Sequence, residues 1–342
     1  GSRRRRYVSR VNVVLAMRPD LPDRLFDEPS RARLHAIANV DFERCLTEFD
    51  SPPATAALAR AELLLTGWEA PRLDAAALVR APRLEAVVHA AGSVKGHLDR
   101  ACWERGLAIS TAADANAAPV AEFTVAMIVL TGKAAFAASR RYQQRRSPVD
   151  LLTEHPRIGN RGRRVGIVGG SRIGRRVLRL LRSYEVRVAV ADPYLDQETA
   201  AELGATLMDL DAMLGWADVV SLHAPALPQT RHLIDAGRLA SMPDGATLIN
   251  TARGALVDHD ALIAELTSGR LDAVLDVTEP EPLPPRSPLH TLPNVMLTPH
   301  LAGALGNELG RLGEWAVDEV ERHAARQPFA APVRLEDLDR MA

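Results

Sequence analysis

A glycine-rich turn between an apolar run and an amphipathic segment constrains this chain more than any other feature. The run Arg164–Val168 predicts a short buried strand, and the segment Ile173–Arg182 carries apolar residues at helical spacing. A second apolar run, Val186–Ala191, ends at Asp192. A strand, a Gly-rich turn, a helix and a second strand tipped by an acid are typical of a dinucleotide-binding unit. The sequence therefore predicts an α/β fold built on a parallel sheet.

The chemistry of this turn suits a pyrophosphate group. Glycines let the backbone bend sharply and let the helix pack close to the strand, and the helix N-terminus offers N–H groups to an anion. The acid at the second strand is expected to bind ribose hydroxyls and to repel a 2′-phosphate, which favours NAD(H). Serine replaces the middle glycine of the pattern. The cofactor contacts predicted in this unit are Gly169, Ser171, Arg172, Ile173, Gly174 and Asp192.

Length and composition narrow the class of protein further. A chain of 342 residues, of which 47% are hydrophobic, predicts two domains with sizeable cores. The formal net charge of −1 argues against a nucleic-acid-binding surface. The two cysteines, Cys45 and Cys102, lie far apart and lack metal-type neighbours, which fits a reducing cytoplasm. We expect no bound metal.

Two segments have features of targeting or membrane signals. Arg3–Arg6 precedes the apolar run Val11–Met17, but that run is too short for an export signal, so a solvated basic arm is the favoured interpretation. The most apolar segment, Val120–Leu130, is interrupted by Glu122 and closed by Lys133, and a membrane span needs about 20 apolar residues. We therefore expect a cytoplasmic protein without a membrane partner.

Short apolar strands alternate with helical patterns along the chain, as in open α/β sheets. The expected strands are Val11–Met17, Leu63–Thr66, Leu84–Ala90, Ala108–Ser110, Arg164–Val168, Val186–Ala191, Val219–His223, Thr247–Asn250, Ala273–Val277 and Val295–Leu297. The expected helices are Ser30–Ala38, Pro53–Ala61, Asp74–Arg80, Leu98–Arg105, Pro119–Arg146, Ile173–Arg182 and Asn307–Ala325. The last helix is expected to return and pack on the N-terminal domain.

Four polar stretches follow predicted strands, where open α/β sheets bind their ligands. They are His223–Pro225, Asn250–Gly254, Asp276–Pro282 and Thr298–Gly303. Each stretch alone also fits a plain surface loop or helix cap. A single ligand site would explain all of them together.

With these stretches the chain resembles the D-isomer-specific 2-hydroxyacid dehydrogenase family, from about Val11 to Val320. The resemblance implies that Arg253 binds the substrate carboxylate, that His300 is the acid/base, and that Glu281 is hydrogen-bonded to it. It also implies further cofactor contacts from His223, Pro225, Thr251, Asp276, His300 and Gly303.

The chemistry of these residue types agrees with the resemblance. Hydride transfer to or from C2 of a hydroxy acid requires a proton to move at the same oxygen, and a histidine titrates near working pH. A carboxylate orients the imidazole and favours its charged form. An arginine presents a bidentate fork to a carboxylate.

The loop Gly92–Asp99 departs from the family pattern. Many relatives have a Gly-rich turn followed by Tyr-Asp-Asn at this point, and its backbone amides help to hold the substrate carboxylate. Val94 and Lys95 here indicate an unusual substrate or another loop conformation. The substrate contacts expected from the resemblance are Ser93, Val94, Lys95, Arg253 and His300.

The resemblance implies two Rossmann-like domains with a cleft between them. An NAD-binding domain of residues 118–300 is inserted in a flavodoxin-like substrate-binding domain of residues 1–117 and 301–342. A homodimer joined through the NAD-binding domain and its helix from Pro119 is implied as well. The arginines near the end of that helix otherwise read as a solvated face. No serine-binding regulatory domain is expected.

The expected activity is the NAD-dependent interconversion of a small 2-oxo acid and a D-2-hydroxy acid. Two alternatives of the same fold stay open. One is an NADH-sensing, corepressor-like binding protein, which the presence of Arg253, Glu281 and His300 disfavours. The other is a dehydrogenase of the formate or phosphite type.

Overall fold

The chain forms two compact α/β units in the computed structural model, which describes residues 10–338. Among the described residues, one unit consists of residues 10–116 and 304–338, and the other is Ala117–Gly303. We call them the outer unit and the inserted unit. The basic arm expected at Arg3–Arg6 lies outside the described residues.

Parallel strands and covering helices alternate in both units. The strands are β1 (Val11–Ala16), β2 (Ala38–Asn39), β3 (Cys45–Leu46), β4 (Leu63–Thr66), β5 (Ala86–His89), β6 (Ala108–Thr111), β7 (Arg164–Val168), β8 (Arg187–Ala191), β9 (Thr206–Leu207), β10 (Val219–Leu222), β11 (Thr247–Asn250), β12 (Asp272–Leu275) and β13 (Val295–Leu297). The helices are α1 (Leu21–Leu25), α2 (Glu28–Ile37), α3 (Pro52–Leu58), α4 (Ala75–Arg80), α5 (Ala101–Glu104), α6 (Ala113–Gly132), α7 (Ala135–Arg145), α8 (Leu151–Glu154), α9 (Arg172–Leu181), α10 (Gln197–Glu202), α11 (Leu210–Trp216), α12 (Ala236–Ser241), α13 (His259–Thr267) and α14 (Leu309–Ala324).

The outer unit contains a parallel sheet in the order β2-β1-β4-β5-β6, with β3 also paired to β1. If the two-residue strands β2 and β3 are taken as one edge, this is the 2-1-3-4-5 order of flavodoxin-like folds, as expected. The helix α14 packs against α1 and α2, which confirms its expected return to the N-terminal segment. A Cβ on Gly313 would lie 1.7 Å from the Leu25 carbonyl oxygen, so the helices approach as closely as glycine permits.

The inserted unit contains a parallel sheet in the order β13-β12-β11-β10-β7-β8-β9. The chain starts in the middle at β7, runs outward through β8 and β9, and then returns to the other side of β7 with β10. The strand order reverses between β7 and β10, and open α/β sheets bind ligands beyond the carboxyl ends of strands at such a point. The Gly-rich turn and the stretch at His223 follow these two strands.

The prediction of one long helix from Pro119 to Arg146 is wrong in extent, because the chain forms two helices there, α6 and α7. Between them Ala134 has a left-handed backbone, with φ of 50°.

A loop after α8 accounts for the end of α6. The Asn160 side-chain amide donates to the Val129 carbonyl at 3.0 Å, and Gly159 N donates to the Gly132 carbonyl at 2.7 Å. These bonds satisfy carbonyls that a helix end leaves without intrahelical partners. A Cβ on Gly132 would lie 1.8 Å from Asn160 Oδ1, so a larger residue there would displace the Asn160 side chain. A tertiary contact therefore sets this boundary.

The helix α6 is long and apolar enough to cross a membrane, by length and composition alone, with a mean hydropathy of 1.3. The expectation that the segment is too short is therefore wrong, since the helix begins before Pro119. Half of the 18-residue stretch with this hydropathy is buried inside the protein. Ala121, Val125 and Ile128 pack with Val165 of β7 in the core of the inserted unit. This burial is that of a core helix.

Two buried histidines lie at the carboxyl edge of the outer unit's sheet. Thr66 and His89 are paired in register at the ends of β4 and β5, with Thr66 Oγ1 2.9 Å from His89 Nδ1. The His97 ring lies against the His89 ring, with centroids 4.9 Å apart. Burial lowers the pKa of His89 to about 3 and that of His97 to about 4. Both imidazoles are therefore neutral in the folded unit.

This burial predicts a loss of stability in acid. In the unfolded chain the two histidines take up protons near pH 6.5, whereas in the folded unit they stay neutral down to about pH 4. The unfolded state therefore binds more protons in this pH range. As the pH falls through the range, each histidine lowers the unfolding free energy by up to ~1.4 kcal/mol for each pH unit. Urea unfolding between pH 7 and pH 5 measures the slope.

The variant His97→Gln removes one of the two protons, so the unfolding free energy should depend less steeply on pH. His290→Gln, at an exposed position, is the matched control and should show the same slope as the wild type. Identical slopes in all three proteins would contradict the assignment.

Candidate active site

The Gly-rich turn after β7 is held by two close backbone approaches. Gly169 has φ of +97°, and a Cβ on it would lie 2.7 Å from Ala224 N. A Cβ on Gly174 would lie 2.0 Å from the Gly169 carbonyl oxygen. Glycine at both positions therefore lets α9 begin directly over the end of β7. The α9 N-terminus, with Arg172 and Ile173, lies where the strand order reverses between β7 and β10, and there it can bind a pyrophosphate.

Ser171, in place of the middle glycine, is the N-cap of α9. Its Oγ accepts a hydrogen bond from Gly174 N at 3.3 Å. Its backbone is extended, with φ of −65° and ψ of 179°, a conformation that any residue adopts. Because the hydroxyl is an acceptor in this cap, its own proton stays available for a phosphate oxygen.

Asp192 fixes the turn from the neighbouring strand. Its Oδ2 accepts from Gly170 N at 2.6 Å and its Oδ1 from Tyr194 N at 2.7 Å. The carboxylate is half-buried at the end of β8. Each oxygen retains a lone pair, so the group can also accept from ribose hydroxyls.

His223 lies after β10, next to the turn. Its Nε2 is 2.9 Å from Ser221 Oγ, whereas its buried Nδ1 has no hydrogen-bond partner among the described residues. Burial lowers the pKa of His223 to about 3, so the ring is neutral. Nearby, the Pro225 carbonyl accepts from Thr230 Oγ1 at 2.6 Å. The unsatisfied nitrogen and the glycine turn fit a bound dinucleotide.

The turn that carries Arg253 is closed by the buried Asn250 at the end of β11. Asn250 Oδ1 accepts from Ala252 N at 3.1 Å, and its Nδ2 donates to the Arg253 carbonyl at 2.9 Å. The half-buried Arg253 donates from Nη1 to the Ala252 carbonyl at 2.7 Å. Burial lowers the pKa of Arg253, and the charge of Glu281 opposes that effect. The guanidinium stays a cation at neutral pH.

Thr251 ties the same turn to α6. Its Oγ1 lies 2.8 Å from Thr124 Oγ1, and Thr124 donates its own proton to the Val120 carbonyl at 2.7 Å. The Thr251 hydroxyl is therefore the donor in the pair, and it retains lone pairs for a ligand.

A close contact brings the Arg253 turn against the stretch that carries Glu281. A Cβ on Gly254 would lie 2.1 Å from both the carbonyl carbon and the oxygen of Thr278. Only glycine permits this approach, so Gly254 sets the spacing of the two stretches.

Asp276 organises the stretch that contains His300. It is only 3% exposed, and its Oδ1 accepts from Thr298 Oγ1 at 2.6 Å and from Leu301 N at 2.8 Å. Its Oδ2 accepts from Ala302 N at 3.0 Å, and its carbonyl accepts from His300 N at 2.9 Å. The carboxylate is thus engaged by protein donors on both oxygens. A role in shaping this loop is one that sequence reasoning missed.

His300 and Glu281 form a hydrogen-bonded pair, with Nδ1 2.7 Å from Oε1. Both side chains are about half exposed, at 51% and 43%. Because a carboxylate only accepts, Nδ1 carries the proton, and Nε2 is left to exchange a proton with a substrate. The His300 backbone is left-handed, with φ of 54°, which is strained for a residue other than glycine. The hydrogen bonds to Asp276 hold it there.

Most predicted site residues therefore lie beyond the carboxyl ends of strands in the inserted unit. Gly303 is half-buried at the end of this unit. Sequence reasoning also missed the structural roles of Asn250, Gly254 and Thr298. The only available signal was their position in the polar stretches that also contain predicted site residues.

Ser93, Val94 and Lys95 lie in the outer unit, after β5. Ser93 Oγ accepts from Lys95 N at 3.3 Å, which closes a tight turn. The Val94 side chain is 1% exposed and packs in the core with Leu98 and Cys102. The side chain is therefore withdrawn from any ligand, and the expected substrate contact of Val94, through its main chain, stays a prediction.

The fold and the glycine turn define the class, an α/β protein with an NAD-binding domain. The family model described as D-isomer specific 2-hydroxyacid dehydrogenase, NAD binding domain, matches residues 125–302. The chain belongs to the D-isomer-specific 2-hydroxyacid dehydrogenase family, as the sequence predicted.

Relatives with known names and structures are similar over most of the chain. The (S)-sulfolactate dehydrogenase of Chromohalobacter salexigens is 35% identical over 83% of this chain and 94% of that protein. The D-3-phosphoglycerate dehydrogenase of Mycobacterium tuberculosis is 34% identical over 79% of this chain. This chain spans about half the length of that protein, at 51%. The crystal structure of Rhodotorula graminis D-mandelate dehydrogenase matches with a TM-score of 0.80 and 26% identity, over 95% of this chain and 97% of that chain.

The role of Asp276 predicts a specific loss of stability. In Asp276→Asn the amide nitrogen cannot accept, so at least one of three donors loses its partner. We expect the unfolding free energy to fall by about 1–3 kcal/mol, measured by urea unfolding. Asp260→Asn, at an exposed position of α13, is the matched control and should unfold like the wild type. Equal midpoints for the two variants would remove Asp276 from this role.

Proposed function

We propose that the protein catalyses the NAD-dependent interconversion of a small 2-oxo acid and a D-2-hydroxy acid. The observation that carries the proposal is the hydrogen bond between His300 Nδ1 and Glu281 Oε1, at 2.7 Å. The Arg253 turn packs against the Glu281 stretch through Gly254, so an anion-binding side chain belongs to the same loop cluster. Carboxylate binding and proton transfer are the functions that such a reaction requires of the protein.

The three side chains divide the work. Arg253 binds the substrate carboxylate through its guanidinium fork and polarises the adjacent carbonyl. His300 gives a proton from Nε2 to the carbonyl oxygen in reduction and removes it from the hydroxyl in oxidation. Glu281 holds the Nδ1 proton, and so keeps Nε2 facing the substrate and stabilises the imidazolium. The nicotinamide supplies or accepts the hydride when it is bound.

The cofactor contacts belong to the proposal as well. Gly169, Ser171, Arg172, Ile173 and Gly174 are proposed to bind the pyrophosphate, and Asp192 the adenosine ribose. Thr251, His223, Pro225, Asp276, His300 and Gly303 are proposed to line the rest of the cofactor site. For Asp276 the proposed contact acts beside its hydrogen bonds to the 298–302 loop.

The substrate class rests on the relatives. They are named for sulfolactate, 3-phosphoglycerate and mandelate, and each of these has a hydroxyl next to a carboxylate. We propose a small acid of this kind, with Ser93, Lys95 and the main chain of Val94 as further contacts.

We also propose a cytoplasmic homodimer. The helix α7 supports the dimer, because none of its residues is fully buried within its own chain, although Phe136 packs partly against the core. Arg140 fastens this helix to the β13 edge through carbonyls at Leu292 and Val295, both at 3.2 Å. Light scattering of the purified protein tests the dimer.

A turnover assay tests the proposed activity. NADH oxidation is followed with a panel of 2-oxo acids, and at least one is expected to be reduced. In His300→Ala turnover should fall at least about a hundredfold, in line with general acid–base catalysis. NADH binding, measured by fluorescence titration, should survive, because the other proposed cofactor contacts remain and the proton transfer of the histidine is to the substrate.

Other outcomes favour the alternatives. NADH binding without turnover on any 2-oxo acid would support a corepressor-like sensor. Reduction of NAD by formate or phosphite would support a dehydrogenase of that type. Unchanged turnover in His300→Ala would contradict the assignment of the acid/base.

The Asp192 carboxylate predicts cofactor choice. A ribose 2′-phosphate would place a second negative charge beside it, so we expect NAD to be preferred over NADP by at least about a hundredfold, roughly 3 kcal/mol. Asp192→Asn keeps the shape of the side chain and removes the charge, so it should reduce the preference for NAD over NADP. Steady-state rates with both cofactors measure the preference. Equal rates with NADPH and NADH in the wild type would refute the prediction.

A further inference from the structure

One histidine outside the proposed catalytic residues makes two hydrogen bonds in which the partner determines which atom is the donor. His259 is the first residue of α13, and the carboxylate of its neighbour Asp258 caps that helix. His259 Nδ1 lies 3.1 Å from the Val257 carbonyl oxygen. Its Nε2 accepts from Glu279 N at 3.3 Å. The ring therefore links α13 to the stretch that carries Glu281.

The partners determine the protonation of this ring. A carbonyl oxygen can only accept, so Nδ1 must carry a proton. A backbone N–H can only donate, so Nε2 must lack one. Together these bonds require a neutral imidazole with its proton on Nδ1. Burial also lowers the pKa of His259, which agrees with the neutral form.

Glu279 is where this link meets the candidate site. The residue lies two positions before Glu281. Its carboxylate is held from the other side by Arg231, with Nη1 2.8 Å from Oε1. The preceding residue, Thr278, is packed against Gly254. The His259 contact is thus the one that fixes the backbone N–H at the start of the Glu281 segment.

We propose that His259 is a positioning residue for the Glu281–His300 pair, because its unprotonated Nε2 holds the backbone N–H of Glu279. The inference deepens the proposed function, since it assumes that this pair moves the proton in the reaction. His259 acts through the loop backbone. Without the acceptor at Nε2, the Glu281 carboxylate loses part of the support that keeps it on His300 Nδ1.

The charges around the ring limit when the contact operates. Glu279 and Asp258 favour a proton on His259, whereas His232 opposes one. His232 Nε2 lies 3.9 Å from Glu279 Oε2, and Arg231 neutralises the same carboxylate. A proton gained at Nε2 would place a donor against the Glu279 N–H and break the bond. The link therefore weakens in acid as His259 is protonated.

Two substitutions separate the acceptor from the bulk of the ring. His259→Gln offers an oxygen that can accept the Glu279 N–H, and it does not titrate. His259→Leu fills a similar space and accepts nothing. In the leucine variant we expect kcat to fall about tenfold to a hundredfold, the usual cost of a misplaced catalytic group. The glutamine variant should retain most of the wild-type kcat. The KM for a 2-oxo acid and the Kd for NADH should change little in both.

A double-mutant cycle separates positioning from general destabilisation. If His259 acts through Glu281, then His259→Leu should cost less than about twofold in a Glu281→Gln background. The same substitution at the exposed His290 is the matched control and should leave kcat unchanged. An equal loss of kcat in the wild-type and Glu281→Gln backgrounds would overturn the proposal.

Nitrogen-15 NMR of labelled histidines gives a readout that does not need turnover. The His259 ring should show the neutral form with its proton on Nδ1, and His259→Leu should shift the hydrogen-bonded Nδ1 signal of His300. An Nε2–H or doubly protonated His259 at neutral pH, or an unshifted His300 signal, would overturn the inference. If the wild type shows no turnover, the proposed function fails, and this spectrum still decides the inference. If the leucine variant does not fold, the wild-type tautomer and the glutamine variant decide it.

Discussion

The geometry of the candidate site depends on one buried carboxylate, that of Asp276. An ion at 3% exposure is costly unless its lone pairs are satisfied, and here a hydroxyl and two backbone N–H groups satisfy them. These donors all come from residues 298–302. The carboxylate therefore fixes this short stretch of chain through three hydrogen bonds. The strained backbone of His300 persists because this network surrounds it.

The His300–Glu281 pair could not supply this order by itself. His300 and Glu281 are both about half exposed, and an exposed ion pair contributes only about 0–1 kcal/mol. The position of the pair must come from the backbone on either side. Asp276 holds the His300 side, while Gly254 packing and the His259 contact hold the Glu281 side. This accessible pair, the proposed acid/base, is thus supported by groups that are themselves largely withdrawn from solvent.

The sequence predicted the sheets better than the loops, for a physical reason. Buried strands read as continuous apolar runs, so β4, β7 and β11 match their predicted bounds, and the partly buried edge strand β13 matches as well. The two-residue strands β2, β3 and β9 are too short to carry a periodic signal, and the end of α6 is set by Asn160 from a distant loop. In the site the motif named Arg253, Glu281 and His300. It could not tell that Asp276 turns toward the 298–302 loop, or that Val94 turns into the core, because those directions depend on tertiary packing.

The glycine turn shows how one motif combines two kinds of constraint. Gly169 and Gly174 are required by the protein itself, because a Cβ at either would collide with backbone atoms. Position 171 carries no such constraint, since its extended backbone suits any residue and its hydroxyl caps α9. A glycine there would serve only the close approach of a pyrophosphate. The serine gives up some of that approach, and relative to glycine its cap stabilises the helix N-terminus by roughly a few tenths of a kcal/mol. This is the N-terminus that a pyrophosphate would use. Ser171 is therefore compatible with NAD(H) binding, because it departs from the motif at the one glycine that the fold does not need.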